Sequence, residues 1–220
     1  MKIYLSPSNQ NRNMYAAGNT TECDQCNRIA EYAEIALKRN GYEVKRAPKG
    51  QDMYVSIRES NNWGADLHIP IHTNAGGGSG TVVFVYAKGA NNLKYADPIY
   101  AAVQAVTPGT VDYGVRAYPD LAELNATTAT AVYCECEFHD NATLAQWIID
   151  HVEDLGEAIC KGVCRADGKT YIAKEQPKPA PANVFYRVQV GAYNEYANAV
   201  KMQDELKSKG YNPIIVEVKK

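Results

Sequence analysis

The chain has 220 residues, 22% charged and 45% hydrophobic, with a formal net charge of -2. That balance excludes both a disordered chain and a polyanion-binding surface, so nucleic acid is not an expected partner. No run of about 18 apolar residues occurs, which predicts no membrane insertion, and the opening Met1-Lys2-Ile3-Tyr4-Leu5-Ser6-Pro7-Ser8 turns polar too soon for a secretion signal, which predicts synthesis in the cytoplasm.

In chain order, Ile3-Tyr4-Leu5 reads as a first strand running into a polar loop, residues 6–19. A helix follows over residues 22–40, with Ile29, Ala30, Ala33, Ala36 and Leu37 on one stripe and Gly41 closing it. Residues 42–46 form a second strand, 55–63 a short helix and 66–72 a third strand. Residues 81–86 are the next strand, 92–106 a helix and 131–137 another strand. Residues 142–164 carry helical spacing through Leu144, Trp147, Ile148, Val152, Leu155 and Ile159. The alternation predicts an α/β fold, a mostly parallel twisted sheet with helices on both faces, spanning residues 1–168. Residues 169–183 include Glu175-Gln176-Pro177-Lys178-Pro179-Ala180-Pro181-Ala182, the pattern of an extended linker. A small βαβ module follows at 184–220, with strands at 185–193 and 211–219 around a helix at 195–209. It buries little surface alone.

The six cysteines fall in pairs: Cys23 and Cys26, Cys134 and Cys136, Cys160 and Cys164. Without a secretion signal they read as reduced, buried thiols. A thiolate zinc site at Cys23-x-x-Cys26 is disfavoured because no second such pair occurs.

The chemistry gathers at two strands. In Ala65-Asp66-Leu67-His68-Ile69-Pro70-Ile71-His72-Thr73-Asn74-Ala75, Leu67, Ile69 and Ile71 share one face while His68, Pro70 and His72 take the other, so His72 reaches the strand end beside a glycine-rich loop. In Val132-Tyr133-Cys134-Glu135-Cys136-Glu137-Phe138-His139-Asp140-Asn141, Glu135 and Glu137 alternate on an apolar strand. Two buried carboxylates are costly without a metal, protons or partners. Ligand sites in such sheets lie beyond the carboxyl ends of the strands, where His72, the loop after Leu5 and residues 135–141 converge. Glu22 opens the first helix, where capping is its simplest role. A zinc ion on histidine and carboxylate, with a glutamate as general base, suits amide hydrolysis there.

These pieces resemble the zinc-dependent N-acetylmuramoyl-L-alanine amidases of the amidase-3 type. They are Leu5-Ser6-Pro7-Ser8-Asn9-Gln10, Glu22 followed by Ile29-Ala30, Arg58 before Asn61, Ala65-Asp66 leading to His72-Thr73-Asn74, and Glu135 three residues before Phe138 with Asn141 after it. The resemblance implies Zn2+ as cofactor, Glu22 and His72 as metal ligands, Glu135 as the catalytic glutamate and peptidoglycan as substrate. It departs at one position: Asn9 stands where the family has its first histidine ligand, and an amide is a poor zinc ligand. His139, emerging at the same sheet end, is the expected substitute. His68 lies roughly 13 Å along the strand from His72, too far to share an ion, and reads as structural. His151 reads as a packing or surface residue. Glu137 is expected either to orient a ligand or to bind a cationic part of the peptide stem.

The segment Tyr186-Arg187-Val188-Gln189-Val190-Gly191-Ala192-Tyr193, with Leu206-Lys207-Ser208-Lys209-Gly210-Tyr211, resembles half of a sporulation-related (SPOR) repeat. That implies glycan binding, and a half repeat suggests a homodimer through this module. The leading expectation is an endolysin or autolysin acting on the wall after release. The alternatives are a non-catalytic peptidoglycan-binding protein that keeps the fold and a zinc peptidase cutting within the stem.

Overall fold

Each amphipathic helix has to bury its apolar stripe, and the chain does so against one sheet in a unit spanning Met1–Lys174. The computed structural model describes residues 1–175 and 187–218, so most of the proline-rich stretch and the start of the strand expected at 185–193 lie outside the described residues. The elements run β1 (Lys2–Pro7), α1 (Glu22–Arg39), β2 (Glu43–Arg46), α2 (Met53–Trp63), β3 (Leu67–Asn74), β4 (Val82–Val85), α3 (Ala90–Gln104), β5 (Val115–Ala117), α4 (Ala122–Asn125), β6 (Thr130–Ala131), β7 (Tyr133–Phe138), α5 (Ala142–Asp150) and α6 (Val152–Ala166). The strand order is β2-β1-β3-β7-β4-β5, with β6 on β3. All pairs are parallel except β4 with β7. Residues 75–81 are too few for the dozen-residue crossover that a parallel return requires, so β4 runs the other way.

The stripe Ile29, Ala30, Ala33, Ala36 and Leu37 is fully buried under the sheet together with Ile3, Leu5, Leu67, Ile69 and Ile71. Helices α1 and α3 pack on either side of α6, and two glycines set how closely. A Cβ on Gly156 would stand 2.6 Å from the amide nitrogen of Ala33, and one on Gly162 2.5 Å from Cα of Ile99. Helices α2 and α4 cover the other face, where a small cluster of Leu124, Ala131 and Tyr133 accompanies buried polar groups. No helix of the described residues is long and apolar enough to cross a membrane, and all six cysteines are free and buried.

Three sequence expectations are corrected. The helix read across 142–164 is two, because His151 leaves the helical path at φ -122° with its ring on the carbonyl of Trp147 at 2.7 Å and stacked on that indole. The apolar spacing runs through the break and hides it. The short elements β5, β6 and α4 fall in a stretch whose turn residues carry no readable period. In the second unit, Glu175–Lys220, helix α7 (Tyr196–Ser208) forms, but residues 187–193 and 211–218 take no strand pairing. A strand needs an edge to bond, and α7 buries no residue while Val188 and Val218 are more than four-fifths exposed.

Glu137 also departs from expectation. A bulge in β7 opposite Thr73 redirects it, and its carboxylate accepts from the amides of Gly80 (2.6 Å), Phe138 (2.9 Å) and Gly109 (3.1 Å). It pins the loops before β4 and after α3 rather than orienting His139 or facing a substrate. Replacing it with alanine leaves three buried donors unpaired. Glu137→Ala should cost about 3 kcal/mol or more, a drop in Tm on the order of 10 °C for a domain of this size, whereas a thermal melt that matches wild type would contradict that role.

Candidate active site

Parallel strands bring their carboxyl ends to one rim, and the candidate residues meet there. On β3, His72 pairs in register with Glu135 of β7, so the two side chains leave the sheet together. Helix α1 begins at this rim. Its cap, Thr21, accepts from the amide of Asp24 while Asp24 receives the Thr21 amide at 3.1 Å, and this box holds Glu22 at the first helical position. Glu22 is buried, with Oε1 2.7 Å from Nδ1 of His72 and Oε2 accepting from Nδ2 of Asn13 at 2.6 Å. The ring of His72 stacks on Tyr133 at 4.5 Å.

The electrostatics follow from burial and mutual contact. Burial pulls His72 down, but the bond to Glu22 and the fields of Glu135, Glu22 and Glu123 outweigh it and hold the imidazole above its usual value. Burial pushes Glu22 up, and its bonds to His72, Ser8 and Asn13 more than reverse that. Glu135 has no such compensation. Its residue is half-buried, but Oε2 is enclosed and has no hydrogen-bond partner among the described residues. Burial first, then Glu22, raises its carboxyl to about 7 against an opposing pull from His72.

The structure therefore brings Glu22, His72 and Glu135 together. It places His139 differently: the ring is buried, stacked on Tyr15 at 4.8 Å, with Nδ1 on the hydroxyl of Thr73 at 2.9 Å. Asn9 gives its amide to the carbonyl of Gln51 at 3.1 Å. Asp140 accepts from the amides of Gly76 and Gly77, both at 2.7 Å, which ties the glycine loop to the rim. His68 is buried and structural as expected, stacked on Tyr4 and bonded to Ser60.

One participant escaped the sequence reading. Glu123, on the short helix α4, is buried with Oε2 3.9 Å from Nε2 of His72. It sits in a cavity of about 140 Å³ lined also by Ser6, Ser8, Asn9, His72 and Tyr133. A lone carboxylate in a turn-rich stretch carries no periodic signal that would have singled it out.

The donors present suit a divalent cation in kind. Three carboxyl groups surround one imidazole, Oε2 of Glu135 is unpaired, and carboxylate with imidazole is a set that zinc accepts. Oε1 of Glu22 and Nδ1 of His72 aim at each other closely enough to share one ion. Among the described residues no three His, Cys, Asp or Glu side chains close on a single point as placed, so the third position is not preformed.

Because the cap of α1 carries Glu22, its own titration is informative. Asp24 is lowered from 3.8 to about 2, by the Lys49 ammonium first and then by Thr21. A carboxylate with a depressed folded-state pKa stabilises fully above its unfolded value and loses that contribution as pH falls through the folded one. Asp24→Asn should lower Tm at neutral pH and converge with wild type between pH 4 and 2; a constant offset across that range would exclude the ionised carboxylate, held by Lys49 and Thr21, as its origin.

Comparison with known proteins agrees with this geometry. Residues 6–165 match the Amidase_3 family, N-acetylmuramoyl-L-alanine amidase, and residues 165–220 match the SPOR domain. The sporulation-specific N-acetylmuramoyl-L-alanine amidase of Bacillus subtilis (strain 168) is 26% identical over 98% of this chain and 84% of its own. The amidase CwlM of Bacillus licheniformis is 25% identical over 98% and 85%. Among solved structures, an N-acetylmuramoyl-L-alanine amidase from Clostridium difficile 630 shares the fold at TM-score 0.68 and 19% identity, covering 76% of this chain and 96% of that one. The catalytic domain of the CD27L endolysin targeting Clostridia difficile aligns at TM-score 0.63 and 25% identity, covering 75% and 97%. The chain thus belongs to the Amidase_3 family of N-acetylmuramoyl-L-alanine amidases, with a SPOR domain after the amidase domain.

Proposed function

We propose that this amidase is zinc-dependent and cuts the amide between N-acetylmuramic acid and the L-alanine of the peptide stem, acting on the wall after release while the SPOR domain holds it on glycan. The observation that carries the reading is the buried, unpaired Oε2 of Glu135 beside the Glu22 and His72 pair. Bound zinc supplies Lewis acidity toward the scissile carbonyl and acidifies water. Glu22 and Nδ1 of His72 would hold it, and Nε2 of His139 is the proposed third donor, with Thr73 fixing the other ring nitrogen. Glu135, with its carboxyl near 7, is poised to take a proton from water at neutral pH and return it to the leaving amine. Its raised value comes from burial, so the carboxylate is a stronger base than an exposed one. The tether adds local concentration at the substrate. Similarity to the sporulation-specific amidase of Bacillus subtilis runs through both units, which supports an autolytic role.

Glu135→Gln should fold as wild type and lose 10²–10⁴-fold in kcat on purified peptidoglycan, the range general acid–base catalysis supplies. Products with a free lactyl carboxyl and N-terminal alanine, read by mass spectrometry, separate this cleavage from cutting inside the stem. In wild type, kcat/KM should rise with pH as Glu135 ionises, with the limb at or below about 7 because a nearby cation lowers it. Elemental analysis should find one zinc per chain, absent in His72→Ala; retention in His139→Ala would remove His139 from the ligand set, and no zinc in the supplied wild type would overturn zinc dependence.

We also propose that the SPOR unit completes its sheet against a second copy. The unpaired segments 187–193 and 211–218 and the exposed Val188, Val190, Ile214 and Val218 support it. Light scattering should show a concentration-dependent dimer that deletion of residues 184–220 abolishes. A monomer at the highest soluble concentration would overturn it.

A further inference from the structure

Behind His72 lies a chain of buried polar contacts that the amidase chemistry above does not use. On β1, the hydroxyl of Ser6 donates to Oε1 of Glu123. On β3, Nε2 of His68 meets the same oxygen at 3.3 Å, while its Nδ1 meets the hydroxyl of Ser60 on α2 at 3.0 Å. The stacked ring of Tyr4 closes the remaining side of His68 at 5.5 Å. Glu123 is further fixed through its backbone, whose carbonyl accepts from the hydroxyl of Thr127 at 2.7 Å. All of these contacts hold one oxygen and the main chain. Oε2 is left to face Nε2 of His72 at 3.9 Å, on the edge of that ring opposite Glu22.

A glutamate buried only for packing has no reason to leave one oxygen aimed at an imidazole. Two histidines four residues apart on one strand cannot reach a common ion, yet here one carboxylate spans them. The distance of 3.9 Å is an ion-pair contact, and a shift of about 1 Å makes it a hydrogen bond. When a metal takes one nitrogen of a histidine ligand, the other must carry the proton, and a carboxylate that accepts it fixes the ring orientation and raises ligand basicity.

We propose that Glu123 is the positioning residue of the zinc site: it receives Nε2–H of His72 and locks Nδ1 toward the metal, with Ser6 and His68 as its rigid support. The proposal rests on the zinc reading of this site. It also holds one of the two paired donors in place in a site whose third position is not preformed.

The test is zinc affinity, measured on the full chain by competition with a chelator of known affinity. Glu123→Gln keeps the size of the side chain and should weaken zinc 10–100-fold. Glu123→Asp should recover part of the loss. An unchanged zinc affinity in folded Glu123→Gln overturns the proposal, and a loss as large as that of His72→Ala overturns it in the other direction by making Glu123 a ligand itself. Should the variant not fold, the zinc-loaded wild type decides: a slowly exchanging Nε2–H proton of His72 in the nuclear magnetic resonance spectrum supports the contact, and rapid exchange of that proton overturns it. Wild type that binds no zinc is the distinct failure of the underlying reading.

Discussion

The contact between Glu22 and His72 governs this structure. It joins the first turn of α1 to the end of β3, and every other feature of the rim either positions one of those two groups or answers their charge. Glu22 is buried and ionised, which the interior tolerates because an imidazole, an asparagine amide and the helix N-terminus surround it. Next to it, Glu135 has no such surroundings and its carboxyl rises to about 7. One environment thus produces two carboxylates with different chemistry, one fixed as a ligand-type anion and one able to exchange a proton near neutrality.

The two faces of the sheet divide the labour. Under α1, α3 and α6 the sheet is aliphatic and close-packed, with glycines where the helices approach most closely. Under α2 and α4 it is threaded by Tyr4, His68, Ser6 and Glu123, so the polar residues of the strands are satisfied by one another rather than by water. The aliphatic face sets where the strands lie, and the polar face sets where the side chains on those strands point. A rim held from both sides can keep an unsatisfied carboxylate without collapsing onto it.

Much of this was legible in the residues. The alternation of apolar stripes and short β-branched runs gave the order of the layers, and His72 and Glu135 stood out because imidazoles and carboxylates rarely interrupt apolar strands without purpose, whereas Glu22, at a helix start where a carboxylate is ordinary, stood out only through the family resemblance. What stayed hidden was long-range or irregular. The bulge in β7 diverts Glu137 to the loop amides, although the strict alternation of the strand placed it beside Glu135. Glu123 gave no signal because four-residue helices have no period. The break at His151 was masked because apolar spacing continues through it. In the SPOR unit, the strand-like segments take no pairing among the described residues, since a strand needs a partner edge to bond.

Ser6 and Glu123 meet across 117 residues of chain, and His72 and Glu22 across 50. Contacts of that separation form late, because loop-closure entropy opposes them until the sheet between is in place. The N-terminal half can acquire β1, α1 and β3 while Glu123 and Glu135 are still to be made, and until β7 lies between β3 and β4 the rim lacks the raised carboxyl of Glu135. For a peptidoglycan amidase, the order in which the polypeptide is assembled therefore bears on when the site exists at all: the residues that complete this rim come from the last third of the amidase domain.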